Sequence, residues 1–97
     1  MKEAGKRLTT KHLSARVASS LLPYCRVGVV VGKRGHSAVE RNRLRRRLRE
    51  LSRIHVIPHL SGLDVVLYAR SSAYDIGFSQ LTEETISIKD RLTSVVQ

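Results

Sequence analysis

Several residue types that mark particular classes of protein are scarce in this 97-residue chain. It contains one cysteine, Cys25, which excludes an internal disulfide and a cysteine-rich zinc site and suits a reducing compartment. No apolar run approaches the roughly 20 residues that cross a bilayer, and no signal-type hydrophobic stretch follows the basic start. We therefore expect a cytoplasmic protein without a membrane partner, in which Cys25 is a small buried residue.

Acidic side chains are also few. Eight Asp and Glu residues stand against 18 Lys and Arg residues, which gives a formal net charge of +10. The carboxylates form no pair with evident acid–base or metal spacing, and the four histidines form no ligand cluster with Cys25. The sequence therefore predicts neither a protein-borne active site nor a protein metal site. Its charge favours a polyanionic partner, either nucleic acid or an acidic membrane surface.

Basic charge is concentrated in one segment. Nine of the 18 Lys and Arg residues lie within positions 33–53, and six arginines occupy positions 41–49. At about 100° per residue along a helix, one narrow arc holds Leu44, Leu48, Leu51 and His55. The residues that point away from this arc are Asn42, Arg45, Arg46, Arg49 and Arg53. The pattern predicts a helix that packs one face against a sheet and binds phosphate with the other. His55 lies on the packed face and is expected to be a hydrogen-bonded core histidine.

The like charges along this helix favour a surface that binds a polyanion over one that contacts only solvent. Solvated helix faces usually interleave Glu with Lys four residues apart, whereas Arg41, Arg45 and Arg49 form a row of mutually repelling cations. Arginine also offers a planar fork for phosphate oxygens and a flat surface that stacks on unpaired bases. A membrane-active helix is disfavoured, because the segment has few bulky apolar residues and the chain has no tryptophan.

Two strands and a turn are predicted before the basic helix. Residues 13–17 alternate between apolar and polar side chains, which indicates a half-exposed strand after a polar, basic beginning. Residues 26–33 are β-branched and punctuated by glycine, as is typical of a well-covered strand. Residues 33–36 are predicted to form the turn that connects this strand to the helix.

The basic helix, a third strand and a closing helix complete the predicted order. Ser37 and Glu40 fit a capping box that begins the basic helix, which should end just before Pro58. Residues 63–70 read as a strand, and apolar residues three or four apart predict a helix from about Ser79 onward. Strand, strand, helix, strand, helix is the order expected of a single α+β domain over residues 1–97.

The segment at positions 26–50, RVGVVVGKRGHSAVERNRLRRRLRE, resembles the signature of the bacterial ribonuclease P protein family, in which Arg-Asn-Arg opens a basic helix. Downstream, DVVLYAR at positions 64–70 is similar to that family's last strand. The ordered match extends over nearly the whole chain. It implies a mixed, mostly antiparallel four-stranded sheet with two helices and a left-handed βαβ crossover through the basic helix, similar to ribosomal protein S5 domain 2.

The resemblance also implies a function. Such a protein is a non-catalytic subunit of a ribonucleoprotein that removes 5′ leaders from precursor tRNA, with Mg²⁺ held by the catalytic RNA. The protein would join one ribonuclease P RNA as a monomer and help to bind precursor tRNA. The resemblance places RNA contacts at Lys33 and Arg34 in the basic turn, at Arg70, and on the helix at Arg41, Asn42, Arg43, Arg45, Arg46 and Arg49. The alternative is a general basic RNA-binding or ribosome-associated module without a processing role.

The chain departs from the family's usual pattern in two places. Family members usually carry a helix before the first strand, whereas here the first residues match the segment that follows it, and residues 13–17 lack the aromatics that stack on the leader. His36 stands where the family usually has glycine, so the turn is expected to differ in shape. The four aromatic residues are expected to pack in the core or in loops, with Tyr68 also a candidate RNA contact. The other three are Tyr24, Tyr74 and Phe78.

Overall fold

The computed structural model describes residues 6–32 and 36–96. Within these ranges the chain forms strands β1 (Lys6–Thr9), β2 (Leu13–Ser19), β3 (Arg26–Val31) and β4 (Leu63–Ala69), helices α1 (Ala38–His55) and α2 (Phe78–Val96), and two short 3₁₀ helices, Ile57–His59 and Ser71–Asp75. The sheet order is β1-β2-β4-β3. β3 runs parallel to β4, and the other pairings are antiparallel. The mixed, mostly antiparallel four-stranded sheet and the two helices are thus confirmed.

β1 is the element that periodicity did not predict. Its four residues contain one apolar side chain, Leu8, so no alternation is visible in the sequence. The strand forms by antiparallel pairing with β2, which places Leu8 opposite Ala15 and Arg7 opposite Arg16. Backbone hydrogen bonding to a neighbouring strand, and not the hydrophobic pattern of its own residues, makes this segment a strand.

Burial along β2 and β3 differs from the predicted pattern. In β2 Leu13, Ala15 and Val17 are buried as predicted, but Ser14 is buried as well. The prediction that β3 is well covered is wrong, because Val31 is its one buried residue and Val30 is 47% exposed. β3 lies at an edge of the sheet. A run of valines identifies a strand, but it does not show whether that strand is central or at an edge.

α1 begins and ends as its sequence signals predict. Ser37 Oγ accepts a hydrogen bond from the Glu40 amide (3.2 Å), and Glu40 Oε1 accepts one from the Ser37 amide (2.9 Å), which completes the capping box. The helix ends at His55, ahead of Pro58. The prediction that His55 is a core histidine is wrong, since the side chain is half-buried in the last turn. The buried polar residue of α1 is instead Ser52.

One face of the sheet and the inner sides of both helices form the core. α2 starts at Phe78, one residue before the predicted Ser79. The core includes the inward residues of β2 and β4 and the buried residues of the helices: Leu44, Leu48, Leu51, Leu81, Ile88 and Leu92. Cys25 is buried as predicted, and burial, with a smaller effect of the Asp64 charge, raises the pKa of its thiol. The leucine arc of α1 therefore faces the sheet.

A buried carboxylate, Glu84, connects α2 to the turn between β1 and β2. Its Oε1 accepts hydrogen bonds from Thr10 Oγ1 (2.5 Å) and the His12 amide (2.8 Å), and its Oε2 accepts one from Gln80 Nε2 (3.0 Å). The ring of His12 contacts Ser72, with His12 Nδ1 2.8 Å from Ser72 Oγ. Burial raises the pKa of Glu84, but these hydrogen bonds and the His12 ring lower it by more, so that the pKa lies below its usual range.

Replacing Leu48 with alanine is expected to lower the free energy of unfolding by about 2–5 kcal/mol, because it removes buried carbon atoms and leaves a cavity. Urea denaturation measures this change. Val39→Ala is the matched control on the same helix, where the side chain is 67% exposed, and should change stability by less than about 0.5 kcal/mol. An equally small effect of Leu48→Ala would show that the leucine arc does not face the sheet.

Glu84 is expected to make stability depend on acid pH. Because its pKa is lower in the folded protein than in the unfolded chain, its contribution is fully present above the unfolded pKa of about 4.3 and is lost as the pH falls through the folded pKa. Glu84→Gln should lower the melting temperature at neutral pH and flatten its decline in acid. Thermal unfolding from pH 3 to pH 7 measures both effects, with the exposed Glu83→Gln as control. A decline as steep as that of the wild type would contradict the assignment.

Candidate nucleic-acid interface

The exposed side of α1 carries a row of arginines held at fixed spacing by the helix. Arg43, Arg46 and Arg49 are exposed, and Asn42 is exposed beside them. Arg45, predicted to point away from the core, is half-buried, because its position on the helix lies at the border of the buried arc. Its Nη1 donates a hydrogen bond to Asn42 Oδ1 (2.7 Å). The predicted residues on α1 therefore share one helix but differ in how freely they meet solvent.

Few carboxylates lie close to this row. Among the described residues, no Asp or Glu oxygen is within 4.0 Å of the guanidinium groups of Arg43, Arg46, Arg47 or Arg49. Arg53, near the end of α1, differs because it forms an ion pair with Glu50. Within the part of the chain that the structure describes, these four guanidinium groups therefore have no ion-pair partner, and their charge is available to a polyanion. Guanidinium groups in such a row fit a polyanion with regularly spaced phosphates.

Arg47 belongs to this surface, although sequence reasoning did not select it. A shallow groove along the exposed side of α1 is lined by five residues: Val39, Asn42, Arg43, Arg46 and Arg47. Arg47 is exposed and lies one helical turn from Arg43. Its position in the unbroken Arg45-Arg46-Arg47 run was visible in the sequence, and a full helical-wheel assignment would have placed it outside the leucine arc.

The parallel pairing of β3 and β4 determines where Arg70 lies. Val31 of β3 is opposite Ala69 of β4, so Gly32 and Arg70 follow the carboxyl ends of two neighbouring parallel strands. The chain proceeds to α1 from this end of the sheet. Arg70 is exposed, and its amide donates a hydrogen bond to the His12 carbonyl (3.0 Å). The predicted contacts Lys33 and Arg34 lie outside the described residues.

A second group of cations lies on the sheet face opposite the core. Arg16 alternates with the buried residues of β2, and Arg7 is directly across from it on β1, with both side chains exposed. Like charges directly opposite each other on a sheet are destabilising. Tyr68 of β4 faces the same side and is half-buried. Sequence reasoning missed Arg7 and Arg16 as a pair, because their proximity depends on a strand and a register that no local signal specified.

Arg26 is also on this sheet face, but its charge is already matched. Its Nε and Nη2 donate to the two carboxylate oxygens of Asp64 at 2.8 and 2.7 Å, in a bidentate pair across β3 and β4. The hydrogen bonds and charge of Arg26 lower the pKa of Asp64 despite partial desolvation. The two groups therefore contribute little net field, whereas Arg7 and Arg16 have no Asp or Glu oxygen within 4.0 Å among the described residues.

Neither a metal site nor a membrane-spanning helix is found in the part of the chain that the structure describes. The described residues include no group of three or more His, Cys, Asp and Glu side chains that could hold a metal ion. Among the helices in those same ranges, none is both long and apolar enough to span a bilayer.

Comparison with known proteins identifies the family of the chain. The family model described as Ribonuclease P matches residues 1–93. The chain belongs to the ribonuclease P protein family. A ribonuclease P protein component from Syntrophobacter fumaroxidans is 38% identical over 90 residues, which are 91% of this chain and 75% of that protein. One from Pelotomaculum thermopropionicum is 33% identical over 87 residues, or 90% of this chain and 78% of that protein.

Solved structures of the family share this fold. The RNase P protein from Thermotoga maritima, solved in complex with 1-(4-fluorophenyl)-2-thiourea, is 26% identical, with a TM-score of 0.79 over 90% of this chain and 85% of that chain. The Staphylococcus aureus RNase P protein has a TM-score of 0.78 over 96% and 84% of the two chains, and at 22% identity it supports the fold alone. Family membership implies a partnership with ribonuclease P RNA.

Neutralising two arginines of the row is expected to weaken RNA binding and its salt dependence. The double variant Arg43→Gln, Arg46→Gln should reduce the slope of log K against log salt by about 1.5, because each lost phosphate contact removes about 0.7–0.9. Binding to a transcribed bacterial ribonuclease P RNA, measured by fluorescence anisotropy over a salt series, tests this expectation.

The matched control is Arg53→Gln, which removes a charge already paired with Glu50 and should change the slope by less. All three arginines are exposed, so unfolding free energies should stay within about 0.5 kcal/mol of the wild type. If the double variant bound RNA with unchanged affinity and slope, the exposed side of α1 would not be part of the interface.

Proposed function

We propose that this protein binds ribonuclease P RNA through the exposed side of α1 and thereby assists that RNA in removing 5′ leaders from precursor tRNA. The observation that carries the proposal is the row of unmatched arginines on a capped helix whose other side is fixed to the sheet, in a member of this family. Pre-positioned guanidinium groups bind phosphate with little further loss of conformational entropy. RNA contacts are accordingly assigned to Arg41, Asn42, Arg43, Arg45, Arg46, Arg49 and Arg70, with Lys33 and Arg34 as further candidates.

In this proposal the protein is non-catalytic and works by electrostatics. The RNA holds the Mg²⁺ ions and carries out hydrolysis, while the protein lowers the repulsion between two polyanions, the catalytic RNA and the precursor tRNA. Fewer Mg²⁺ ions are then needed to screen the complex. We propose a cytoplasmic ribonucleoprotein with one protein monomer per RNA.

The sheet face opposite the core is proposed to contact the precursor tRNA. Arg7 and Arg16 are adjacent cations there without an ion-pair partner among residues 6–32 and 36–96, and Tyr68 and Val30 are neighbours across β4 and β3. A cationic pair beside an exposed apolar side chain and a half-buried aromatic ring fits single-stranded nucleic acid, whose phosphates and unstacked bases can be bound together. The 5′ leader is a single-stranded segment of the substrate that mature tRNA lacks, and we place it on this face.

The test is cleavage of a precursor tRNA by a bacterial ribonuclease P RNA at low Mg²⁺, with and without the protein. We expect the protein to restore cleavage that the RNA alone loses under these conditions. Arg43→Gln, Arg46→Gln should require more protein for the same rescue. Arg7→Gln, Arg16→Gln should bind the RNA normally but lose affinity for precursor tRNA relative to mature tRNA.

Tight, salt-sensitive RNA binding without any gain in cleavage would contradict the processing role and favour a general RNA-binding module. Equal effects of Arg7→Gln, Arg16→Gln on precursor and mature tRNA would remove the leader from the sheet face and leave the role of α1 intact. The two parts of the proposal therefore fail separately.

A further inference from the structure

One tyrosine outside the basic helix contacts both sides of the junction between β3 and α1. Tyr74 lies in the 3₁₀ helix Ser71–Asp75, more than 40 positions after Gly32. Its hydroxyl donates a hydrogen bond to the Gly32 carbonyl at 2.7 Å. Its ring stacks on the His36 imidazole, with ring centroids 3.6 Å apart and planes inclined by 11°. A single side chain thus binds the residue that directly follows β3 and the residue that precedes the helix cap.

The stacked histidine is in turn connected to the basic helix. The His36 carbonyl accepts a hydrogen bond from Arg41 Nη1 at 3.0 Å, and its ring Nδ1 lies 3.7 Å from Glu40 Oε1. Ser37, the next residue, caps α1. A continuous series of contacts therefore leads from Tyr74 through His36 to the guanidinium of Arg41, the first arginine of the Arg-Asn-Arg motif.

The tyrosine hydroxyl is suited to this contact at neutral pH. Partial burial raises the pKa of Tyr74, with a further increase from Glu40, while the charges of Arg41 and Arg45 act in the opposite direction. The net effect is a raised pKa, so the hydroxyl stays protonated at neutral pH and donates a hydrogen bond to the Gly32 carbonyl. Tyr74 also lines a small cavity together with Glu40, Arg43 and Arg47, so it lies beside the arginines of α1.

We propose that Tyr74 is a positioning residue for RNA binding, which fixes Arg41 through its stack on His36. The inference rests on the proposed RNA-binding function of α1. Arginine is long and flexible, and holding it in place before binding reduces the entropy lost in the complex. Arg41 is half-buried, as expected for a side chain whose guanidinium is already engaged on one edge. Among the described residues its guanidinium makes no other hydrogen bond, so further donors can meet phosphate.

The stack is a feature of this chain's own residues. The stack requires the imidazole ring of His36, because a glycine at this position would have no ring to stack on tyrosine. The histidine and the tyrosine therefore supply together a restraint that a glycine at this position would not provide.

The experiment is a double-mutant cycle on RNA affinity. Tyr74→Leu, which removes the ring and the hydroxyl, should weaken binding to a transcribed ribonuclease P RNA by up to about tenfold, the equivalent of one lost charge-assisted hydrogen bond. Tyr74→Phe keeps the ring and should weaken it by less. In an Arg41→Ala background, Tyr74→Leu should have an effect of less than about twofold.

Arg49→Ala is the matched control, since it removes an arginine of the same helix that is two turns from Arg41 and has no contact with the stack. The effects of Tyr74→Leu and Arg49→Ala should multiply. His36→Ala keeps the carbonyl that accepts from Arg41 but removes the ring, and it should reproduce most of the loss seen with Tyr74→Leu. Circular dichroism confirms folding, and proton NMR reports the His36 ring signals, which Tyr74 should shift upfield.

Three outcomes would overturn the inference while leaving the proposed function intact. They are unchanged RNA affinity of Tyr74→Leu, equal losses from Tyr74→Leu with and without Arg41, and His36 ring signals that do not move when Tyr74 is replaced. If Tyr74→Leu does not fold, Tyr74→Phe and His36→Ala carry the same cycle. Failure of the wild-type protein to bind the RNA would overturn the proposed function and this inference together.

Discussion

The contact between the leucines of α1 and the sheet is the constraint on which the cationic surface depends. Arginines four residues apart repel, and each such pair disfavours the helix by about 0.2–0.5 kcal/mol. Burying one leucine contributes about 1.5–3 kcal/mol, and Leu44, Leu48 and Leu51 are all buried. Packing therefore outweighs repulsion by several fold. The helix can keep its charges unmatched because its other side is fixed to the core.

Sheet topology then determines which charged residues lie close together on the protein surface. Because β3 and β4 are parallel neighbours joined through α1, the ends of both strands and the start of the helix meet at one edge. Arg70, Tyr74 and the capped start of α1 are brought together there from distant parts of the sequence. The antiparallel pairing of β1 with β2 separately creates the cationic pair on the opposite sheet face. Two basic surfaces result, one on a helix and one on a sheet.

Local chemistry was enough to predict the elements with strong signals of their own. The Ser37 and Glu40 capping box and the leucine spacing gave the start and the buried side of α1, and apolar spacing gave α2 to within one residue. β1 was missed because a strand with one apolar residue has no periodic signal. The exposure of β3 was mispredicted because the position of a strand in a sheet is a tertiary property.

In the candidate site too, some residues could be predicted from local sequence and others depend on tertiary structure. Arginines on α1 could be selected from the sequence, because neighbours on a helix follow from spacing alone. Arg45 was placed on the wrong side of the boundary, since a residue at the border of the arc is sorted by its contacts and not by its angle. The Arg7 and Arg16 pair required the register of β1, and the Tyr74 and His36 stack required the path of the chain between β4 and α2. No local sequence signal specifies this register or this chain path.

The unmatched charges themselves indicate what the fold is adapted to do. Pairing each arginine of α1 with a glutamate would stabilise the isolated helix, and separating Arg7 from Arg16 would relieve a like-charge contact in the sheet. Both surfaces keep their repulsion instead, and the leucine core offsets it. A bound polyanion would reverse the sign of these interactions, because each phosphate placed between two guanidinium groups is attracted by both. The repulsion that lowers the stability of the free protein is thus replaced by attraction that increases affinity in the complex. This relation is expected of a protein whose working state is a ribonucleoprotein.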